Sequence, residues 1–216
     1  MKTRLKKNLQ FLKKEVEAKV SKEINKGIKL LNSIDTNIIT FLGSHVSPPT
    51  SKEYKHCMKV AEKLGEKGYA IVTGGGPGIM EAANKGAKKV GAISVGIKAG
   101  MIKNEKVRSS NFSHVESFDF LFVRRFMLAI KSEALIFYPG GFGTLNELYE
   151  YIVLIETKMV DKVPLILVDR KFWDGMIGWL EESPLKRHLI AHMKKDMELL
   201  KVVDKPEEII ALIESN

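Results

Sequence analysis

Hydrophobic and polar residues recur along this chain with two different periods. From Leu5 to Leu31, leucine, isoleucine and valine return every three or four residues, which predicts one long amphipathic helix. After Thr36, short β-branched runs alternate with helical segments, a pattern typical of a parallel sheet with crossover helices. We therefore predict an α/β protein with a Rossmann-like, doubly wound parallel sheet of six to seven strands, preceded by an extra N-terminal amphipathic helix.

The pattern divides the chain into residues 1–35, the basic amphipathic helix, and residues 36–216, a single Rossmann-like nucleotide-binding domain. The predicted strands are 38–42, 69–73, 92–97, 115–118, 135–138, 165–168 and a short 202–203. The predicted helices after the first are 51–66, 78–89, 120–132, 144–158, 172–181 and 206–215. Residues 98–114 form the longest connection, which is typical of a lid or a substrate loop.

Charge is concentrated in the first helix. Residues 1–31 hold ten lysines and arginines against three glutamates, which accounts for seven of the nine net positive charges. We expect the apolar stripe to pack on the domain or on a partner, with the lysines in water; without interleaved aromatic residues, nucleic acid is an unlikely partner. No apolar run reaches the roughly 20 residues of a membrane helix, and Cys57 is the single cysteine. We expect a cytoplasmic protein that does not bind a membrane.

The strongest local signal is the segment 139–147, PGGFGTLNE, which follows a predicted strand and opens a helix. Glycines let the backbone approach a ligand, and the free N–H groups of a first helical turn attract an anion. The alternative is a tight turn in which Thr144 caps the helix and Glu147 completes a capping box. From the residues alone, both interpretations stay open.

Another glycine-rich turn, TGGGPGIM at 73–80, occupies the same kind of junction after another predicted strand. It has neither the Walker A lysine nor the GxGxxG spacing of dinucleotide-binding proteins, and no acidic residue ends the next strand, so NAD is disfavoured. Four glycines in five residues favour close approach of a ligand. Ser44 follows the first strand, and Asp119 is the predicted N-cap of the helix that carries Arg124 and Arg125. In a doubly wound sheet all four junctions lie along one edge.

These segments, in this order, resemble the LONELY GUY family, phosphoribohydrolases formerly labelled possible lysine decarboxylases. The resemblance runs from about residue 38 to 181 and rests on the Gly-Ser turn, GGGPGIM, FVRRFM at 122–127 and PGGFGTLNE. It implies hydrolysis of the N-glycosidic bond of nucleoside 5′-monophosphates, AMP-like or cytokinin nucleotides, to a free base and ribose 5-phosphate. It also implies a homodimer or an assembly of dimers.

The resemblance assigns Arg124 and Glu147 as the catalytic pair. The residues that it implies for binding phosphate and ribose belong to the junctions: Gly43, Ser44, Gly74, Gly75, Gly76, Gly78, Met80, Arg125, Pro139, Gly140, Gly141, Gly143 and Thr144. No cofactor and no metal are expected. Because every junction follows residue 36, we expect residues 1–33 to be dispensable for hydrolysis at a folded site.

Two other functions are alternatives to this hydrolysis. A nucleotide or molybdenum-cofactor carrier on the same fold would bind through the glycine turns without catalysis, but a carboxylate at position 147 would disfavour a bound anion. Lysine decarboxylation needs pyridoxal phosphate on a Schiff-base lysine, and neither glycine turn contains a lysine.

Overall fold

Seven strands and seven helices make up the computed structural model, which describes residues 2–100, 109–190 and 197–215. The strands are β1 (Ile38–Leu42), β2 (Ala70–Thr73), β3 (Ser94–Ala99), β4 (His114–Phe118), β5 (Ser132–Phe137), β6 (Leu165–Val168) and β7 (Leu200–Val203). The helices are α1 (Lys2–Asn32), α2 (Lys52–Glu66), α3 (Ile79–Lys89), α4 (Leu121–Ala129), α5 (Phe142–Glu156), α6 (Arg170–Leu180) and α7 (Pro206–Glu214). A 3-10 turn (Ser109–Asn111) and a π-helical turn (Glu181–Leu185) complete the described elements.

The strands form one parallel sheet in the order β4-β3-β2-β1-β5-β6-β7. The chain moves outward from β1 to β4 and then returns to place β5 on the other side of β1. The strand order reverses between β1 and β5, and open α/β sheets bind ligands beyond the carboxyl ends of the strands at such a point. The predicted fold class is confirmed.

Helices cover both faces of the sheet. One apolar core lies under α2, α3 and α7, and the other lies under α1, α4, α5 and α6. The strands in the middle of the sheet are buried on both faces, which explains their continuous apolar runs. The basic helix α1 contacts α4 and β4, and its residues Val20, Ile24 and Leu31 pack at the core beneath it.

Several predicted boundaries were wrong by a few residues. Strand β5 begins at Ser132, three residues before the predicted start, because Ser132 pairs with Ile38 of β1; its buried hydroxyl also lies 2.7 Å from the Thr40 hydroxyl. The N-cap position of helix α4 is Phe120 and not Asp119, as the sequence predicted. Of the long connection predicted at 98–114, residues 101–108 lie outside the described part of the chain.

Candidate active site

A crevice of about 560 Å³ opens at the point where the strand order reverses. We call it the switch-point crevice. Its walls come from the ends of β1 and β2, the first turns of α3, α4 and α5, and the end of β3. The lining residues are Phe41, Leu42, Gly43, Ser44, His45, Val46, Gly74, Met80, Ala99, Leu121, Arg124, Gly141, Phe142, Gly143, Thr144 and Glu147. The structure therefore gathers residues from all four predicted junctions into one cavity.

Arg124 is held in this crevice by three acceptors. Its Nε donates to the Ile97 carbonyl at 2.8 Å, and Nη2 reaches the Gly74 carbonyl at 3.4 Å. Its Nη1 lies 3.4 Å from Oε1 of Glu147, and the two side chains are only 12% and 14% exposed. A guanidinium offers five N–H donors in a fixed plane, so these contacts orient it and leave donors toward the cavity.

Glu147 is the sixth residue of α5, and its carboxyl group faces Arg124 across the crevice. Burial raises the pKa of this carboxyl above its usual value, although the nearby Arg124 and Arg125 guanidinium groups act in the opposite direction. A raised carboxyl pKa inside a cleft is a common property of acid–base and charge-stabilising groups in active sites.

The capping-box alternative for this segment is wrong. Gly141 is the N-cap of α5, in an extended conformation, and no side chain caps the helix there. Thr144 is therefore the N3 residue instead of the N-cap, and Glu147 is the sixth residue of the helix, beyond the N3 position that a capping box requires. Glu147 has no capping role that would explain its presence.

The second glycine turn, residues 139–143, is open toward the crevice. A Cβ atom added to Gly141 or Gly143 would meet no other atom within 4 Å. The first N–H groups of α5 lie here and have no partner within the helix. Gly140 differs, because a Cβ there would collide with the Thr144 side chain. This turn combines free space, unpaired helical N–H groups and a helix dipole.

The first glycine turn, residues 74–78, is filled by the protein itself. A Cβ on Gly74 would strike the Arg124 guanidinium, and one on Gly78 would strike the Ser44 carbonyl. Gly75 and Gly78 have positive φ angles of 68° and 67°. These glycines let neighbouring groups approach, and Gly74 in particular makes room for Arg124.

Ser44 connects the two glycine turns. Its N–H donates to the Pro139 carbonyl at 3.0 Å, and its own carbonyl accepts from the Ile79 N–H at 3.0 Å. One N–H of the first turn of α3 is therefore already used within the protein.

The predicted binding residues divide into two groups. Gly43, Ser44, Gly74, Met80, Gly141, Gly143 and Thr144 line the crevice, whereas Gly75, Gly76, Gly78, Pro139 and Gly140 lie behind its walls. Arg125 also lies outside the lining, and its guanidinium pairs with Glu150 of α5.

Six apolar lining residues were missed by the sequence analysis: Phe41, Leu42, Val46, Ala99, Leu121 and Phe142. Two of them stand at helix starts. Leu121 begins α4 and is partly exposed, and Phe142 begins α5 with 93% of its surface exposed. Each directly follows a strand-to-helix junction, so the junction pattern could have indicated them. They place apolar surface beside Arg124 and Glu147, where a flat aromatic ligand could contact it.

None of the helices in the described ranges is long and apolar enough to cross a membrane. Within the same ranges, no three histidine, cysteine, aspartate or glutamate side chains group in a way that could hold a metal ion.

A sequence model of the family described as "Possible lysine decarboxylase" matches residues 80–213, and the chain belongs to this family. A "Probable cytokinin riboside 5'-monophosphate phosphoribohydrolase LOGL6" from Oryza sativa subsp. japonica is 26% identical over 196 residues, covering 86% of this chain and 77% of its own. A "Cytokinin riboside 5'-monophosphate phosphoribohydrolase" from Mycobacterium tuberculosis is 27% identical over 136 residues, covering 62% of this chain and 72% of its own. The resemblance to the LONELY GUY family is thus confirmed, and at the family level these relatives support a phosphoribohydrolase activity.

The fold is shared with a molybdenum cofactor binding protein. The molybdenum cofactor binding protein from Rippkaea orientalis superposes with a TM-score of 0.61 at 23% identity, covering 85% of this chain and 98% of its own. At this identity the likeness extends to the fold alone.

Proposed function

We propose that this chain hydrolyses the N-glycosidic bond of nucleoside 5′-monophosphates, releasing a free base and ribose 5-phosphate. The observation that carries the proposal is a buried carboxylate, Glu147, which faces Arg124 in the same crevice as the open first turn of α5. The phosphate and the glycosidic bond of a nucleotide need different surroundings. This crevice offers the N–H groups at the start of α5, which attract an anion, and the Glu147 carboxylate.

The phosphate fits the open turn. The N–H groups at the start of α5 and the positive end of its dipole favour an anion, and the space above Gly141 and Gly143 is free of protein atoms. Thr144, buried beside Gly140, adds a hydroxyl to the same turn. With the phosphate there, the ribose would extend along α5 toward Glu147, which follows Thr144 by about one helical turn.

The carboxylate fits the reacting carbon. When the C1′–N bond breaks, its electron pair leaves with the base and C1′ becomes cation-like, as in glycoside hydrolysis. A water molecule adds its hydroxyl to C1′, and one proton ends on the departing base. The Glu147 carboxylate stabilises the positive charge and orients or deprotonates the water. Arg124 cannot act as a base, but its free N–H donors can hold the substrate in place.

The raised pKa of Glu147 predicts an acid limb in the pH profile. Hydrolysis requires the ionised carboxylate, so kcat/KM should fall as the pH drops through a value above the usual glutamate pKa of about 4.3. The substrate phosphate also titrates, near pH 6. The residual activity of Glu147→Gln separates the two groups. An acid limb due to Glu147 disappears in the variant. An acid limb that is the same in the variant and the wild type comes from the substrate and would contradict our assignment.

A panel of nucleotides tests the function. The protein is incubated separately with AMP, GMP, CMP, UMP and a cytokinin nucleotide, and the products are separated. Free base and ribose 5-phosphate in equal amounts support the hydrolase. Unchanged nucleotide with measurable binding would instead favour a carrier.

The expected homodimer remains a proposal, supported by an apolar surface on α4 and α5. Arg125 and Glu150 join the two helices, and the Tyr151 hydroxyl donates to the Arg125 carbonyl at 3.0 Å. About one turn from this pair, Phe122 and Val153 are exposed. Exposed apolar groups on adjacent helices are typical of an interface, and a second copy of the chain is our proposed occupant. Light scattering of the wild type and of Val153→Glu tests it, with a monomeric variant as the expected result.

A further inference from the structure

Glu23 is a buried acidic residue in the most basic segment of the chain. It lies on α1 and is only 9% exposed. Both of its carboxylate oxygens accept backbone N–H groups at the start of α4: Oε1 from Asp119 at 2.6 Å and Oε2 from Phe120 at 3.2 Å. A glutamate buried in this way needs hydrogen bonds to both oxygens, and these two bonds provide them.

Helix α4 has no cap from its own residues. Phe120 is its N-cap, and the phenylalanine side chain accepts no hydrogen bond. The N–H groups at a helix start need acceptors, and a negative charge there is favoured by the helix dipole. Glu23 supplies the acceptor oxygens and the negative charge, from a position 97 residues before Phe120 in the chain. The start of α4 is therefore held from another helix.

Other contacts of α1 hold the same region. A Cβ atom on Gly27 would lie 2.6 Å from Cγ of Met127 and 3.3 Å from Cζ of Phe118, so the backbone of α1 closely approaches α4 and the end of β4. Lys26 donates to the Ser117 carbonyl, and its ammonium group lies 4.5 Å from the centre of the Phe118 ring. This close packing leaves little freedom for Glu23 to move relative to α4.

Helix α4 carries Arg124, one turn after Phe120. The Arg124 N–H donates to the Phe120 carbonyl at 3.0 Å. Phe120 therefore donates its N–H to Glu23 and accepts the Arg124 N–H with its carbonyl oxygen. We propose that Glu23 is a positioning residue, which fixes the first turn of α4 and thereby holds the Arg124 guanidinium against Ile97, Gly74 and Glu147.

This inference rests on the proposed function where it concerns turnover, because Arg124 is assigned there to the substrate. The proposed role of Glu23 changes the expectation that residues 1–33 are dispensable for hydrolysis. That expectation assumed that α1 does not contact the elements that carry the site residues, such as α4. The family model matches only from residue 80, so Glu23 lies outside the matched residues.

The test compares Glu23→Gln with Glu15→Gln. The matched control removes the same charge from the same helix at an exposed position, where Glu15 pairs with Lys19 one helical turn away. Glutamine keeps one acceptor oxygen but turns an NH2 group toward the second N–H. We expect faster hydrogen exchange at residues 119–124 and a displaced NMR signal of the Arg124 Nε–H in Glu23→Gln, with neither change in the control.

Turnover provides the second readout. Misplacing a catalytic group by about 1 Å can cost up to about a hundredfold, and we expect kcat of Glu23→Gln to fall at least about tenfold, with a smaller change in KM. In an Arg124→Ala background, the same substitution should cause no further loss, because its effect passes through Arg124. An equal loss in both backgrounds would show a general structural effect and overturn the proposal.

Two outcomes separate this inference from the proposed function. If the wild type hydrolyses no nucleotide, the proposed function fails, while hydrogen exchange and the Arg124 signal still decide whether Glu23 positions that residue. Unchanged exchange and an unchanged Arg124 signal in Glu23→Gln overturn the inference, whatever the activity. If the Gln variant does not fold, Glu23→Asp, which keeps the charge but withdraws it by one methylene, is compared with Glu15→Asp by the same measurements.

Discussion

The two glycine-rich turns look alike in sequence but have different physical reasons for their glycines. In residues 74–78, the backbone conformation and the neighbouring atoms require glycine: Gly78 has φ 67° and ψ −130°, and a Cβ would meet the Ser44 carbonyl. In residues 139–143, Gly141 has the ordinary negative φ of −90°, and added Cβ atoms at Gly141 and Gly143 would meet nothing.

This difference separates packing from binding. A glycine that its own protein demands gives no information about a ligand. A glycine with open space beside a helix N-terminus has no such internal reason, and the space is available to a ligand. We therefore assign the phosphate to the second turn and a supporting role to the first.

The largest expected effect comes from Glu147, on the helix that follows the open turn. Glu147→Gln keeps the size of the side chain but removes the negative charge, so turnover should fall at least about a hundredfold, the low end for a positioned acid–base group. Nucleotide should still bind, as measured by calorimetry. Glu133→Gln, which removes a charge from an exposed position in β5, is the matched control. Near-normal turnover of a folded Glu147→Gln protein would remove the carboxylate from the mechanism.

The second effect concerns the phosphate itself. If the open turn binds it, adenosine should be a far poorer substrate than AMP, because each charge-assisted hydrogen bond is worth about 1.5–3 kcal/mol, or about one to two decades of kcat/KM. The measurement is product release from both substrates under the same conditions. Equal turnover of adenosine and AMP would show that neither turn binds the phosphate.

The third effect is on the free energy of unfolding, when a glycine of the first glycine turn, residues 74–78, is replaced. Gly78→Ala forces alanine into a backbone region that only glycine adopts readily and adds a collision, together about 2–4 kcal/mol of unfolding free energy. Gly68→Ala is the control, since Gly68 has a positive φ of 88° but open space for a Cβ. In denaturant unfolding, the control should lose less unfolding free energy than Gly78→Ala, about 1–2 kcal/mol. Equal losses would mean that the contact with Ser44 is unimportant.

The smallest effect on the fold should come from Gly143→Ala. Alanine in a helix is favoured over glycine by up to about 1 kcal/mol, so thermal stability should stay the same or rise slightly. The affinity for AMP should nevertheless fall, because the methyl group occupies the space assigned to the phosphate. Gly175→Ala, in α6 and also without neighbours within 4 Å, is the control for helix stability without loss of affinity. Unchanged AMP affinity in Gly143→Ala would place the phosphate elsewhere.

Local patterns predicted the sheet and placed Arg124 and Glu147 along the same edge, because both follow from strand-to-helix order, while the pairing of the two residues was implied by the resemblance to the family. They could not predict that Ser132 belongs to a strand, since its hydrogen bond to Thr40 joins residues 92 positions apart. Glu23 was hidden for the same reason: an acidic residue on a basic helix looks like solvated surface until the start of α4 is seen beside it. The contrast between Gly78 and Gly143 likewise depends on neighbouring atoms, which the sequence does not show.

The hydrogen bonds of Ser44 have a consequence for how this crevice can change. Its N–H donates to the Pro139 carbonyl and its carbonyl accepts from the Ile79 N–H, so the backbone of this one residue sets the separation of the two turns. Substitutions within either turn alter the surface of the crevice but leave its width unchanged. A variant that accepts a bulkier ligand would have to change the length or path of the loop between β1 and α2, which makes that loop the place where a designer should begin.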